Sequence, residues 1–391
     1  MRIVDVCAFY APRGGGVKTY VERKLQAGAA AGHEIIILAP SDSGGVMEAR
    51  GGGRIVMMPA RRFPLDRRYS YFDDEQSLHA MLDRLQPDLV EASSPWASAS
   101  MVARWRGGAP RSLIMHADPL SAYAYRWFGS VLSREAIDRG FDWFWRHLRR
   151  LDEQFDLVVS ASDSLSQRLQ GGGLQRVMTL PMGVEPGYFS PARRNEDLRT
   201  RLLHRCGLAP DATLLVGVGR HAPEKRWPMV IEAVASAGYN SPVGLVLVGD
   251  GRERARIIRA AANNPHIQLL APIHDRATLA ELLASADALV HGCEAETFCM
   301  VAAEARASGL PVIVPDQGGA SDQARSGAGL LYEAAQADSL AAIILDFIAA
   351  GPQMRRSDAV AMATSVITMD EHFRRLFSRY EKLSEGDRYV A

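Results

Sequence analysis

No apolar stretch in this chain approaches the roughly 18 residues of a membrane-spanning helix, and the run after Met1 is too short for a secretory h-region. Cysteine is scarce: Cys7, Cys206, Cys293 and Cys299 lie far apart, and none of their spacings matches a zinc or redox pattern. A reduced, cytosolic setting is expected, with contact at the inner membrane face left open. Charge of one sign is also missing, because 45 basic residues balance 45 acidic ones. No overall field would draw the chain onto nucleic acid. No Asp-x-Asp stands at the end of an apolar run, and Asp73-Asp74 sits beside an acidic helix start, so neither a metal nor another cofactor is expected.

What remains is a chain of 391 residues, 47% apolar, long enough for two or three domains. Short apolar runs alternate with longer amphipathic or alanine-rich segments, the pattern of parallel sheets covered by helices. The first half predicts strands at Ile3–Val6, Glu34–Leu38, Arg54–Met57, Leu89–Glu91, Leu113–His116 and Leu157–Ser160. The second half predicts them at Thr213–Val218, Gly244–Val248, Ile267–Leu270, Ala288–Val290 and Val312–Val314. Between the halves, the stretch Pro181 to Pro191 carries three prolines and two glycines, which interrupt regular structure. The reading is α/β, with two doubly wound Rossmann-like domains, 1–188 and 189–369, facing a central cleft. Phe373, Leu376, Phe377 and Tyr380 share one helical face in a final segment, about 370–391, that is expected to pack back on the first domain.

Glu296 and Glu304 are eight positions apart, between the run Ala288-Leu289-Val290-His291 and the turn Gly309-Leu310-Pro311. A wholly helical path would separate them by roughly 12 Å, more than the about 5–9.5 Å of paired glycosidase carboxyls. That suits a long ligand held at two places, such as a nucleotide sugar, although two unrelated glutamates on a surface helix give the same spacing. Thr297, Phe298, Cys299 and Met300 are expected to start the helix that carries Glu304, with free amides aimed at a phosphate or a sugar hydroxyl.

Glycine loops follow several predicted strands. Gly14-Gly15-Gly16-Val17-Lys18 opens a helix and resembles a phosphate loop, but it is neither a Walker A nor a GxGxxG sequence. In Gly219-Arg220-His221-Ala222-Pro223-Glu224-Lys225-Arg226, a guanidinium and an ammonium five positions apart would meet phosphate. The plain alternative is a solvated loop in which Glu224 pairs with Lys225 or Arg226. Gly249-Asp250-Gly251 and Gln317-Gly318-Gly319 end further strands.

Taken in order, these pieces resemble the GT-B retaining glycosyltransferases of family 4 over nearly the whole chain. The matching segments include Ala31-Gly32-His33-Glu34, Pro181-Met182-Gly183-Val184, Gly219-Arg220 with Glu224-Lys225, and Glu296 to Gly319. The resemblance implies a diphosphate held by Arg220 and Lys225, a sugar beside Glu296, and ribose hydroxyls on Glu304. It assigns Gly15, Gly16, Gly219, Asp250, Ile273, Phe298, Cys299 and Met300 to the donor, and His116 to the donor sugar. Asp118 would orient or deprotonate the acceptor hydroxyl. Two positions depart from the family pattern: Met182 stands where asparagine is usual, and Glu296-Thr297-Phe298-Cys299 where Glu-Gly-Phe-Gly is common.

The expected reaction moves a sugar from a nucleoside-diphosphate sugar, UDP-linked by family prevalence, to a hydroxyl of a glycan or lipid-linked acceptor. GDP-mannose is the second donor. An epimerase, a phosphorylase and a noncatalytic sugar-nucleotide-binding partner are the alternatives. A greasy acceptor is hinted at by Tyr123, Tyr125, Trp127 and Phe128 after His116. Peripheral membrane contact is raised by the basic-aromatic stretch Arg61 to Tyr69. In contrast, Phe141, Phe144, Trp145, Leu148 and Leu151 follow one helical stripe that fits core packing.

Overall fold

The computed structural model describes residues 1–10, 16–49, 52–62, 70–116, 118, 120 and 134–386. Gly14, Gly15, the aromatic group from Tyr123 to Phe128 and most of the Arg61 to Tyr69 stretch lie outside these residues. Two compact units result. The first holds the described residues up to Pro181, Leu120 excepted, together with the segment from Met369; the second holds Met182–Thr368.

Strands of the first unit are β1 (Arg2–Cys7), β2 (Glu34–Ser41), β3 (Gly45–Glu48), β4 (Arg54–Pro59), β5 (Arg61–Arg62), β6 (Ser70–Tyr71), β7 (Leu89–Ser93), β8 (Arg111–Met115), β9 (Leu157–Ser160) and β10 (Val177–Thr179). Among the described residues, eight of them form one sheet in the order β10-β9-β8-β7-β1-β2-β4-β3, while β5 and β6 pair separately. All pairings in the large sheet are parallel except β3 against β4. The central strands are buried on both faces, with Ile35, Ile36, Ile37 and Leu38 wholly enclosed, as parallel strands between helices require. The chain moves outward from β1 in both directions, through β2 on one flank and β7 on the other.

A buried polar network lies at that centre. Lys24, on the helix Gly16–Ala30, donates to Asp5 of β1 at 3.0 Å and to Glu91 of β7 at 2.5 Å. Tyr380 of the helix Met369–Ser384 donates to Glu91 at 2.5 Å. Tyr20 donates to His372 Nε2 at 3.0 Å, and His372 Nδ1 donates to the Pro181 carbonyl at 2.8 Å. Phe373, Leu376 and Phe377 are buried on the same helix, so the last helix is bound by both apolar and polar contacts. On the helix Asp142–Gln154, Phe144, Trp145, Leu148 and Leu151 are buried while Trp143 is exposed. Arg61 and Arg62 pair with Asp73 and Asp42.

The second unit contains β11 (Thr213–Val218), β12 (Val243–Val248), β13 (Ile267–Leu270), β14 (Ala288–Val290), β15 (Val312–Pro315) and β16 (Leu330–Tyr332). They form a parallel sheet in the order β13-β12-β11-β14-β15-β16. Alternation along the strands feeds two cores. Leu214, Val216 and Val246 join the core on one face, whereas Leu215, Leu245 and Leu247 join Trp227 and Phe347 on the other. This unit starts at Met182, ahead of the boundary at 188 read from the sequence, because Val184 bridges Thr368 and Gly183 packs against the same backbone. Among the described residues, no helix is long and apolar enough to cross a membrane.

Candidate active site

β11 and β14 are neighbours in the sheet although β12 and β13 intervene in sequence. Strand order therefore reverses between them, and the carboxyl ends of such strands open the crevice in which α/β sheets bind ligands. β11 leads into Gly219–Arg226 and β14 into His291–Cys299. Two ion pairs tie these loops together. Lys225 Nζ donates to Glu296 Oε1. The Arg226 fork holds Glu294, with Nε donating to Oε2 at 2.8 Å and Nη2 to Oε1.

The charges at this junction are locked. Burial would lower the pKa of Lys225, but the Glu296 carboxylate overrides it and raises the ammonium above its ordinary value. Burial would raise Glu296, yet Lys225 and His291 hold it far below the usual carboxylate range. His291 is fully enclosed, and burial lowers its pKa, so the ring is neutral. Its Nε2 stands 3.2 Å from Glu296 Oε1 and, as a neutral N–H donor of imperfect alignment, helps hold the carboxylate ionised. The Trp227 ring meets His291 edge-on and donates through Nε1 to the Arg220 carbonyl at 3.0 Å, bracing the cationic loop from beneath.

Arg220 itself is exposed and pairs with Glu224 at 3.2 Å. Glu224 thus pairs with Arg220 and not, as in the plain alternative, with Lys225 or Arg226, because the latter two reach across to the β14 loop. An exposed pair of this kind is worth little, which leaves the guanidinium able to take an anion at small cost.

Glu296 and Glu304 do not share a continuous helix. Glu296 sits in a turn, Cys299 takes a left-handed backbone (φ 66°) as the cap, and the helix is Met300–Ala307. Thr297 and Phe298 therefore precede it, and the straight helical path assumed between the glutamates does not exist. Cys299 has no side-chain cap bond to the first amides of that helix. Glu304 is buried and accepts from Arg276 Nη2 at 2.5 Å. Arg276 also donates through Nε to Glu185 at 2.9 Å and lies 4.8 Å above the Phe189 ring. Burial raises the Glu304 pKa and Arg276 only partly counters it.

Glycines let the loops approach. A Cβ on Gly249 would stand 2.0 Å from the Gly219 carbonyl oxygen, while His221 and Asp250 bond through their backbones at 2.8 Å, so the Arg220 and Asp250 loops form one body. Asp250 is exposed, its carboxylate accepting from the Gly251 amide at 2.8 Å. Ile273 packs partly buried against the core, Phe298 is buried, and Met300 begins its helix.

In the first unit, His116 lies just past β8, one residue beyond the strand expected from the sequence, and meets Tyr20 edge-on at 5.0 Å; burial takes its pKa down to about 4. Asp118 pairs with Arg168 at 3.2 Å. Gly16 opens the helix Gly16–Ala30, and Gly15 is outside the described residues. Sequence reasoning missed His291, Glu294, Arg226, Arg276 and Glu185. Only His291 carried a signal, as a titratable group ending a buried apolar strand.

Residues 14–188 match the family model described as Glycosyltransferase Family 4, and residues 204–361 match Glycosyl transferases group 1. The chain is 33% identical over 330 residues to a GDP-mannose-dependent alpha-mannosyltransferase of Mycobacterium tuberculosis (strain CDC 1551 / Oshkosh), covering 82% of this chain and 81% of that one. It is 31% identical over 319 residues to a GDP-mannose-dependent alpha-(1-6)-phosphatidylinositol dimannoside mannosyltransferase of M. tuberculosis (strain ATCC 25177 / H37Ra), covering 80% and 79%. Among solved structures, sucrose-phosphate synthase from Thermosynechococcus elongatus superposes with a TM-score of 0.75 at 19% identity, covering 99% of this chain and 100% of that one. At that identity the likeness speaks for fold.

Proposed function

This chain belongs to the family 4 glycosyltransferases of GT-B fold and is a hexosyltransferase, and from that premise we propose that it transfers mannose from GDP-mannose, with retained configuration, to a hydroxyl of a glycan or lipid-linked acceptor. The observation that carries the donor assignment is the 33% identity over 82% of the chain to a GDP-mannose-dependent mannosyltransferase. The UDP-linked donor expected from the sequence rested on family prevalence alone, and it gives way here.

In this reading Arg220 and Lys225 meet the diphosphate, and their charge offsets what develops on the leaving group as the glycosidic bond breaks. Protein cations then do the work that a metal would otherwise do. Glu296 lies by the sugar, where its pairing keeps Lys225 charged and aimed. Glu304 takes the ribose hydroxyls, with Arg276 as its partner. Gly219, Asp250, Ile273, Phe298, Cys299 and Met300 line the donor side. His116, Gly15 and Gly16 are assigned to the donor sugar and phosphate, and Asp118 to the acceptor hydroxyl. An acceptor with an apolar part would bring the protein to the inner membrane face.

A thermal-shift panel of GDP-mannose, GDP-glucose, UDP-glucose and the free diphosphates tests the donor, since a ligand at 100 times its dissociation constant adds about 2.7 kcal/mol of stability. GDP-mannose is expected to give the largest shift and GDP a smaller one. A larger shift with UDP-glucose would reject the donor assignment, and an inverted anomer in the product would reject retention.

A further inference from the structure

We propose that His291, Glu296 and Cys299 form a binding site for one thiophilic divalent cation of the zinc class, and that filling it draws Glu296 away from Lys225 and arrests sugar transfer. The three residues follow β14 within nine positions of sequence, and their nitrogen, oxygen and sulfur ligand atoms all lie within 4.8 Å of one another. His291 Nε2 and Glu296 Oε1 are 3.2 Å apart. Two ligands in tetrahedral array on bonds of about 2.0–2.1 Å stand roughly 3.3 Å apart, so this edge of the site is already at coordination distance.

His291 supplies an independent pointer. The ring is completely enclosed, Nδ1 has no hydrogen-bond partner, and Nε2 has only its poorly aligned approach to the Glu296 carboxylate. Buried polar groups are ordinarily satisfied, and one left so poorly served is destabilising until something pairs with it. A cation at the junction would take the Nε2 lone pair in place of that approach, with the ring proton on Nδ1. The donor set chooses among cations: imidazole and thiolate select zinc and its neighbours, whereas magnesium and calcium prefer oxygen alone. Three protein ligands leave a fourth position for water, and Glu296, partly exposed, gives access from solvent.

Cys299 releases its thiol proton to solvent as the sulfur–metal bond forms, and Glu296 shares its carboxylate with the metal. The dication and two anionic ligands sum to zero, so the Lys225 ammonium loses its counter-charge and its aim. The site is independent of the proposed transfer reaction; the arrest rests on that reading.

The test uses the full chain, reduced and freed of metal, titrated with cobalt(II) as an optical probe and with zinc by calorimetry. One equivalent of cobalt is expected to give a thiolate-to-cobalt charge-transfer absorption. Cys299→Ser should abolish that absorption and weaken zinc binding by more than about 100-fold, beyond the roughly 10-fold to 100-fold that outer-shell changes produce. Cys293→Ser, Cys206→Ser and Cys7→Ser should keep it. Cobalt bound without the sulfur absorption in the unaltered chain, or an absorption that follows Cys293 instead, would overturn the site. Zinc should also stop mannose transfer and a chelator should restore it. A sulfur absorption with transfer undiminished would keep the site and overturn the arrest.

Discussion

Lys225 and Glu296 stand 71 residues apart and meet as a largely enclosed ion pair where β11 and β14 part. Lys225→Ala would strand a carboxylate in a poorly solvated place. A sealed pair loses about 3–5 kcal/mol when one partner is removed, and partial exposure here reduces that to about 2–3. Turnover should fall on the order of 100-fold to 1000-fold, the scale of losing a transition-state charge partner. The pair Lys225→Ala with Glu296→Ala should regain part of the melting temperature and none of the turnover. Thermal unfolding beside a transfer assay decides it, and an unchanged melting temperature in Lys225→Ala would count against the pairing.

Gly318 guards the same junction from the β15 side. Its φ is +71°, and a Cβ there would lie 2.4 Å from the Glu294 carbonyl oxygen and 3.0 Å from that of Glu296. Gly318→Ala should cost about 1–2 kcal/mol for the left-handed backbone alone. It should also shift the segment carrying Glu296, so turnover falls by more than the stability loss explains. Gly238, at the end of the helix Trp227–Gly238, has its nearest neighbour 3.9 Å from an added Cβ. Gly238→Ala is the matched control, neutral or slightly stabilising. Melting curves and turnover of both variants at one temperature make the comparison, and equal effects would refute the steric argument.

Strands buried on both faces were legible because nothing but continuous apolar runs can fill them. β2 and β12 announce themselves in Glu34–Leu38 and Gly244–Val248. β3 did not, since Gly45, Val46, Met47 and Glu48 are all exposed on an edge and have no face to pattern. β10 and β16 are as short as β14, but each has only one fully buried residue where β14 has three, so neither shows the apolar run that marked β14. At the site, loops at strand ends could be found from glycine and charge. Their pairings could not, because the partners of Lys225 and Arg226 lie 71 and 68 residues later in the loop after β14, and Arg276 reaches back to Glu185. The late start of the helix at Met300 was hidden too. It depends on a cysteine holding a left-handed conformation, which no side-chain preference foretells.

Glu304 offers a test of donor binding that leaves the charge centre alone. If its carboxylate receives the ribose hydroxyls, Glu304→Ala removes charge-assisted hydrogen bonds worth about 1.5–3 kcal/mol, or roughly 10-fold to 150-fold in affinity for GDP. Arg276 keeps Glu185 as a partner at 2.9 Å, so the guanidinium is not orphaned. Calorimetric titration with GDP reads the change. An unaltered dissociation constant would remove Glu304 from the nucleotide site.

His372 gives the first unit an acid-sensitive point whose sign follows from its partners. Burial, against a smaller opposing pull from the Pro181 carbonyl, takes its pKa from 6.5 down to about 4. With Nδ1 donating to that carbonyl and Nε2 accepting from the Tyr20 hydroxyl, the folded ring is neutral and a second proton would displace the Tyr20 bond. Between pH 6.5 and about 4 the unfolded chain therefore binds a proton that the folded chain refuses, and stability must fall as pH falls through that window. The full shift corresponds to about 3 kcal/mol. His372→Gln cannot titrate, so its denaturant midpoint should change less between pH 7 and pH 4.5 than that of the unaltered chain, by about 2 kcal/mol in unfolding free energy. Parallel pH dependences in the two proteins would show that His372 is not the group responsible.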